Sequence, residues 1–326
     1  MQTSPSRSQR LAKTASRTYK RLRFWFMRPL RRAPMIGLPL SRSWHERRFK
    51  KVMKTTLRLD PPDGFNEHIV YRLLYDRDPL LKRVCDKIAV REIIRERAGE
   101  AFLVPLLGAW SKVDDIPWTA LPDRFVLKPS HSSGYGAVIR READRDLVTL
   151  RRQAGEWLRH DYFDHSLEWG YRGVPRRILA EPLLVGPDGG PPVEAQVMTF
   201  GGRAAMIRVL TGIKETPSRH DNWFDAHGAR LSFRSLQIER GNYKLDPDVA
   251  HTLTAVAECA SRGFSHMRVD FYLTQDGLRI GELTPYHGAG LNLWSAPASN
   301  AFFGQLWRDP SRVTDVAALH QATQER

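Results

Sequence analysis

The feature that most restricts the fold is a pair of strand–turn–strand runs separated by one helical stretch. Val193–Phe200 and Arg203–Leu210 flank Gly201-Gly202, a dipeptide that readily takes the positive φ angles of a two-residue hairpin. His266–Leu273 and Leu278–Thr284 flank a second turn around Thr274–Gly277, and a three-residue connection is expected there. Between the two hairpins, residues 247–262 read as a helix, with Asp246 able to cap it and Pro247 suited to its first turn. Helical periodicity also covers residues 65–100, where Ile69, Leu73, Leu74, Leu81, Val84 and Ile93 form the apolar set. Residues 144–160 read as a further helix, and Arg124–Pro129, Gly136–Arg140 and Arg177–Leu184 read as short strands. Hairpins mixed with helices define an α+β body, and no internal repeat is present.

Charge divides the chain further. The net charge is +15, yet residues 1–54 hold sixteen Lys/Arg and one acid, Glu46, which leaves 35 bases and 35 acids for the rest. The whole excess therefore sits in one N-terminal arm on a neutral body, which argues against a specific nucleic-acid-binding surface. Within the arm, Arg17–Arg32 mixes seven basic residues with Tyr19, Leu22, Phe24, Trp25, Phe26 and Met27. That mixture suits the headgroup layer of an anionic membrane, and equally a solvated tail, a strap over the protein's own surface, or an organelle transit peptide. Pro34, Gly37 and Pro39 are read as a linker. No apolar run approaches the roughly 20 residues that span a bilayer. Two cysteines, Cys85 and Cys259, build no disulfide framework. A cytoplasmic protein, peripheral on the inner membrane face, is the expectation.

Three places carry chemistry. Side chains alternate along a strand, so Arg268, Asp270 and Tyr272 share one face of the second hairpin's first strand, and Ile280, Glu282 and Thr284 share one face of its second. Asp270 then stands opposite Glu282, with Cβ atoms about 5 Å apart. Two such carboxylates either grip a cation, for which Mg²⁺ is the fitting choice, or point to water on an exposed hairpin. Lys128 ends the apolar run Phe125–Leu127 and needs an anionic partner. Ser132-Ser133-Gly134 follows it, a small loop whose N–H groups can approach phosphate oxygens, or a plain turn. Glu181 lies in an apolar strand and needs a donor, either an adenine amine or a structural ion pair. Lys87 and Arg91 stand one helical turn apart, facing phosphates or water. GxxxxGK[ST], GxGxxG, GxSxG and HExxH are all missing. His131, His266 and His287 fall near these motifs and read as structural groups.

In order, Lys87, Lys128 with its Ser/Gly loop, Glu181, Asp270 and Glu282 resemble the ATP-grasp superfamily, and more narrowly its TupA-like branch, associated with teichuronopeptide and other surface-polysaccharide biosynthesis. The matching text is FNEHIVYRLLYDRDPLL, DKIAVRE, FVLKPSHSSGYG, RVDFY and GELTPYHGAG, from about Phe65 to Leu306.

The resemblance implies an ATP-grasp fold in which two α+β subdomains clasp ATP. It assigns residues 55–120 to a helical pre-grasp region, 121–180 to the first subdomain, 181–310 to the second with the metal site, and 311–326 to a tail. By residue match, Lys87, Lys128, Ser132, Ser133 and Gly134 bind the phosphates, while Glu181 and Leu183 lie at the adenine. Asp270 and Glu282 hold Mg²⁺, and Arg268, with Lys128, serves catalysis. The implied activity is an ATP- and Mg²⁺-dependent joining of a carboxylate to an amine through an acyl phosphate, on small-molecule or glycan substrates. An ATP-grasp kinase and a nucleic-acid-binding protein using the arm are the alternatives. Three departures stand out: Thr284 where Asn is common, Lys128-Pro129-Ser130-His131 after the strand, and Glu194-Ala195-Gln196 where relatives carry Asp-x-Lys.

Overall fold

A computed structural model describes residues 37–214, 216–232, 235–295 and 298–316. The chain divides into two compact units, residues 1–56 and 57–326. In the first, the stretch expected to be a linker is instead a helix, α1 (Gly37–Met53). Pro39 falls in its first turn, where a missing N–H costs no hydrogen bond, and Arg42 pairs with Glu46 one turn on at 2.9 Å. The membrane-facing stretch expected at residues 17–32 lies outside the described residues, as does most of the tail.

In the second unit the stretch read as helical becomes α2 (Phe65–Tyr75), α3 (Pro79–Cys85) and α4 (Val90–Arg97). Then come β1 (Gly108–Trp110), β2 (Phe125–Pro129), β3 (Ala137–Ile139), α5 (Leu147–Arg159), α6 (Tyr162–Ser166) and β4 (Ile178–Pro182). These strands form a four-stranded antiparallel sheet in the order β1-β4-β2-β3. One face buries Phe125, Leu127, Ile178 and Ala180 against Leu150 and Ala154 of α5. The boundary expected at 180/181 therefore falls inside β4, and β1 brings part of the expected pre-grasp region into this sheet. Both corrections have one cause: sheet partners distant in sequence leave no local mark.

The larger sheet contains β5 (Val193–Phe200), β6 (Arg203–Thr211), β7 (His220–Asp225), β8 (Glu239–Arg240), β9 (His266–Thr274) and β10 (Gly277–Thr284). Its order is β10-β9-β5-β6-β7-β8, antiparallel except for β7 with β8. Gly201 and Gly202 close the first hairpin with φ of +56° and +78°, the mirror-image turn that matches strand twist. α7 (Pro247–Ala260) follows the second half of that sheet, its N–H groups of Asp248 and Val249 capped by Asp246. One sheet face packs Ala195, Val197, Ile207, Val269 and Phe271 against Leu253 and Ala257 of α7 and Ile93 of α4. Period-two alternation then directs charged residues to the opposite face.

α2 and α8 (Ser299–Arg308) fasten the base of the second hairpin. Phe65 is ringed by Phe200, His266, His287, Trp294, Phe303 and Trp307. Arg72 is buried and donates to the carbonyls of His266 (2.8 Å) and Pro285 (3.1 Å), one from each strand at the open end of the hairpin. Asn66 binds the Asn292 backbone in both directions, at 2.9 and 3.0 Å. His266 and His287 are fully enclosed, and burial holds both well below the ordinary histidine pKa, so both are neutral structural groups.

Candidate active site

Asp270 stands directly across from Glu282, as the alternation implies, but the connection differs from expectation. The turn is two residues long, with Thr274 opposite Gly277, and the register slips by one between Ile280 and Glu282. That bulge at Gly281 turns Glu282 onto the face that carries Asp270. A Cβ on Gly281 would lie 2.5 Å from the Tyr272 ring, so the residue must be glycine for the ring to lie over it.

Arg268 grips Asp270 with two hydrogen bonds, Nε to Oδ1 at 2.7 Å and Nη2 to Oδ2 at 2.6 Å. It also reaches the Thr284 hydroxyl at 3.3 Å. Burial pushes the Asp270 pKa up to about 6, Arg268 pulls it down, and the Glu282 and Glu194 charges push it up again. Gln196 donates from Nε2 to Asp270 at 3.3 Å, while its Oε1 is buried with no hydrogen-bond partner among the described residues. Glu194, on the same face of β5, is paired with Arg219 at 2.5 Å.

The other motifs gather on and around the four-stranded sheet. Lys128 and Glu181 form an ion pair at 2.6 Å, their side chains 15% and 12% exposed. The anionic partner that Lys128 needs is thus the strand acid itself, one diagonal step away across the β2–β4 ladder. Leu183 leaves that strand with its N–H on the Arg124 carbonyl at 3.3 Å. Lys87 lies between α3 and α4, where its backbone N–H meets the Ser130 carbonyl at 3.0 Å and its ammonium donates to the Ser132 carbonyl. Burial lowers its pKa, with Glu282 opposing and Lys128 adding to the fall, so Lys87 sits within the field of both halves of the site. Arg91 is not on a solvated face but donates to the Val104 carbonyl at 2.8 Å.

A cleft of about 750 Å³ is bordered by Ser133 and Gly134 on one side and by Gln196, Arg268, Asp270 and Glu282 on the other, whereas Lys87, Lys128, Glu181 and Leu183 do not line it. Sequence reasoning passed over Asp86, whose buried carboxylate caps Ile88 at 2.9 Å and pairs with Arg177 at 2.7 Å, fixing the backbone of Lys87. It also passed over Lys214 and Arg219 on the far wall of the cleft. Arg219 is the partner that an acid on the charged face of β5 requires, but its loop carries no motif.

The carboxylate pair suits a divalent ion. Mg²⁺ is held by one or two carboxylates and fills its remaining positions with water and phosphate oxygens, and the like charges that raise the Asp270 pKa are those an ion would relieve. Among the described residues no group of three or more His, Cys, Asp and Glu could hold a metal.

A lysine with a small-residue loop on one antiparallel sheet and paired carboxylates on another match the arrangement that the ATP-grasp resemblance implies. The chain belongs to the TupA-like ATP-grasp family, whose profile matches residues 67–306. Among solved structures, it is similar to a D-alanine–D-alanine ligase from Bacillus anthracis, with 14% identity, TM-score 0.41, and 75% of this chain and 70% of that one covered. It is also similar to the ATP-grasp ligase PsnB complexed with a minimal precursor, with 10% identity, TM-score 0.38 and 64% of this chain covered. The chain spans about half the length of that PsnB chain, 54% of it. No curated protein matches. Among the described residues no helix is long and apolar enough to cross a membrane.

Proposed function

We propose that this chain is an ATP- and Mg²⁺-dependent carboxylate–amine ligase of cell-surface polysaccharide biosynthesis. The reading is carried by the register pairing of Asp270 with Glu282 at the floor of a cleft bordered by the Ser133–Gly134 loop. Family membership over residues 67–306 supports the nucleotide, and the glycan context rests on the resemblance alone.

In this reading Asp270 and Glu282 hold Mg²⁺, which supplies charge neutralisation to the phosphates. Lys128 exchanges Glu181 for a phosphate oxygen, which leaves the Glu181 carboxylate to accept from the exocyclic amine of adenine beside Leu183. Lys87, already seated on the Ser132 carbonyl, brings a second cation to the phosphates and holds the Ser132–Gly134 loop over them. Arg268 steadies the transferred group from the Asp270 side. The γ-phosphoryl passes to a substrate carboxylate and ADP leaves; an amine then attacks the acyl carbon, the bond to phosphate breaks, and an amide, phosphate and a proton result. The protein's share is positioning and electrostatic stabilisation.

Thermal unfolding with and without Mg·ATP tests the nucleotide site. At a ligand concentration of 100 Kd, wild type should gain about 2.7 kcal/mol, and Asp270→Asn should gain none while its far-UV circular dichroism is unchanged. An Asp270→Asn protein stabilised as strongly as wild type overturns the site. ADP release that does not rise on adding amines favours a kinase acting on a hydroxyl instead.

A further inference from the structure

Asp270 does not present its two oxygens equally. Oδ1 accepts one hydrogen bond, from Arg268 Nε at 2.7 Å, whereas Oδ2 accepts two, from Arg268 Nη2 at 2.6 Å and from Gln196 Nε2 at 3.3 Å. An ionised carboxylate offers about two acceptor positions on each oxygen. Oδ2 is therefore filled, and Oδ1 keeps one position for a further partner. A phosphoryl group can draw on Arg268, but Gln196 carries no charge to attract it and stays on Oδ2.

The place of Gln196 in the sheet holds it to that contact. It stands opposite Asp270 on β9 and opposite Arg208 on β6, and only 8% of it is exposed. Arg208 is itself fixed, paired with the fully buried Asp221 at 3.1 Å. An amide flanked by a carboxylate and a guanidinium turns its NH2 end, the donor end, to the carboxylate. The reverse orientation would set Oε1 against Asp270. The observed orientation leaves Oε1 buried with no hydrogen-bond partner among the described residues. Buried amides ordinarily satisfy both ends, so the Asp270 contact, not the comfort of the glutamine, dictates how this one lies.

We infer that Gln196 is a positioning residue that makes Asp270 a one-oxygen metal ligand and so biases the carboxylate pair toward Mg²⁺ and against Ca²⁺. The inference rests on the ligase reading for the place of the ion, between Asp270 and Glu282. Mg²⁺ demands a near-ideal octahedron, whereas the larger Ca²⁺ takes more oxygens in looser geometry and accepts both oxygens of one carboxylate. With Oδ2 closed by Gln196, that two-oxygen grip is lost at Asp270. Ca²⁺ then forgoes a ligand that Mg²⁺ does not use.

The probe is Mn²⁺, which shares the octahedral oxygen coordination of Mg²⁺. Its binding is read by electron paramagnetic resonance with Mg²⁺ and Ca²⁺ as competitors, first without nucleotide and then with a non-hydrolysable ATP analogue. Gln196→Met, close in volume but without the donor, should move the Mg²⁺/Ca²⁺ affinity ratio about tenfold toward Ca²⁺, the size of one hydrogen bond to a charged group. The melting temperature of the metal-free protein should change little. Gln196→Lys donates to the same oxygen, so it should keep the wild-type ratio while its charge weakens both ions. An unshifted ratio in Gln196→Met, or an equal shift in Gln196→Lys, overturns the inference, as does a lack of saturable Mn²⁺ binding in both arms. The ligase reading is decided separately. It fails if the analogue does not tighten Mn²⁺ binding to wild type, and the ratio measured without nucleotide then still judges Gln196.

Discussion

At the scale of single residues, Asp270 carries the sharpest consequence. Its pKa of about 6 in the fold, against 3.8 ordinarily, means the folded protein binds a proton more tightly than the unfolded chain. That group's contribution to stability is therefore full at low pH and falls away as pH rises from about 4 to 6. A metal ion competes with the same proton. Mg·ATP affinity should thus weaken on the order of tenfold per pH unit below 6 and level off above it, as the melting shift measured from pH 5 to 8 will show. A flat profile across pH 6 would place the ion elsewhere. The acid pair was legible only together with the assumed three-residue turn, because alternation carried through the actual two-residue turn sets Glu282 opposite Val269, and the bulge after Ile280 restores it to Asp270. The Lys128–Glu181 pair was not: sequence showed that each needed a partner, but not that each was the other's. Gln196 appeared only as a departure from the family text, and its contact with Asp270 depends on β5 lying next to β9, a neighbour far off in sequence.

At the scale of elements, the second hairpin was right in outcome and wrong in construction. A three-residue turn and a two-residue turn followed by a bulge both set Asp270 opposite Glu282, and period-two reasoning cannot distinguish them. The difference matters because the bulge concentrates the requirement at Gly281. Replacing it with alanine drives a methyl into the Tyr272 ring and should cost about 1–3 kcal/mol in urea unfolding, in the range of overpacked cores. It should also weaken the Mg·ATP melting shift by displacing Glu282. Adding Tyr272→Ala should recover much of the stability, and a Gly281→Ala protein as stable as wild type would refute the packing account. The helices were read from periodicity and caps, as with Asp246 at α7. α1 escaped because Pro39 and Gly37 look like breakers when the first-turn tolerance of proline is left out.

For the whole molecule, charge and partner exchange set the behaviour. The body is balanced and the excess lies in residues 1–54, so the arm is where an anionic surface would act. Each basic residue near such a surface contributes about 1 kcal/mol. Full-length protein should therefore sediment with phosphatidylserine vesicles at low salt and be released as salt rises, whereas a chain lacking residues 1–54 should stay in solution. Equal binding by both would assign the membrane role to the body. In the cleft and on the smaller sheet the balance is local: Arg268 already holds Asp270, Arg219 holds Glu194, and Lys128 holds Glu181. An incoming triphosphate or acid that takes Arg268, Lys128 or Arg219 must first evict a resident carboxylate. Ligand entry is then a swap between ion pairs of similar kind, and dissolved salt weakens the old pair and the new one alike. Such an enzyme keeps its grip on nucleotide over a wide range of ionic strength, where a bare cationic pit would let go.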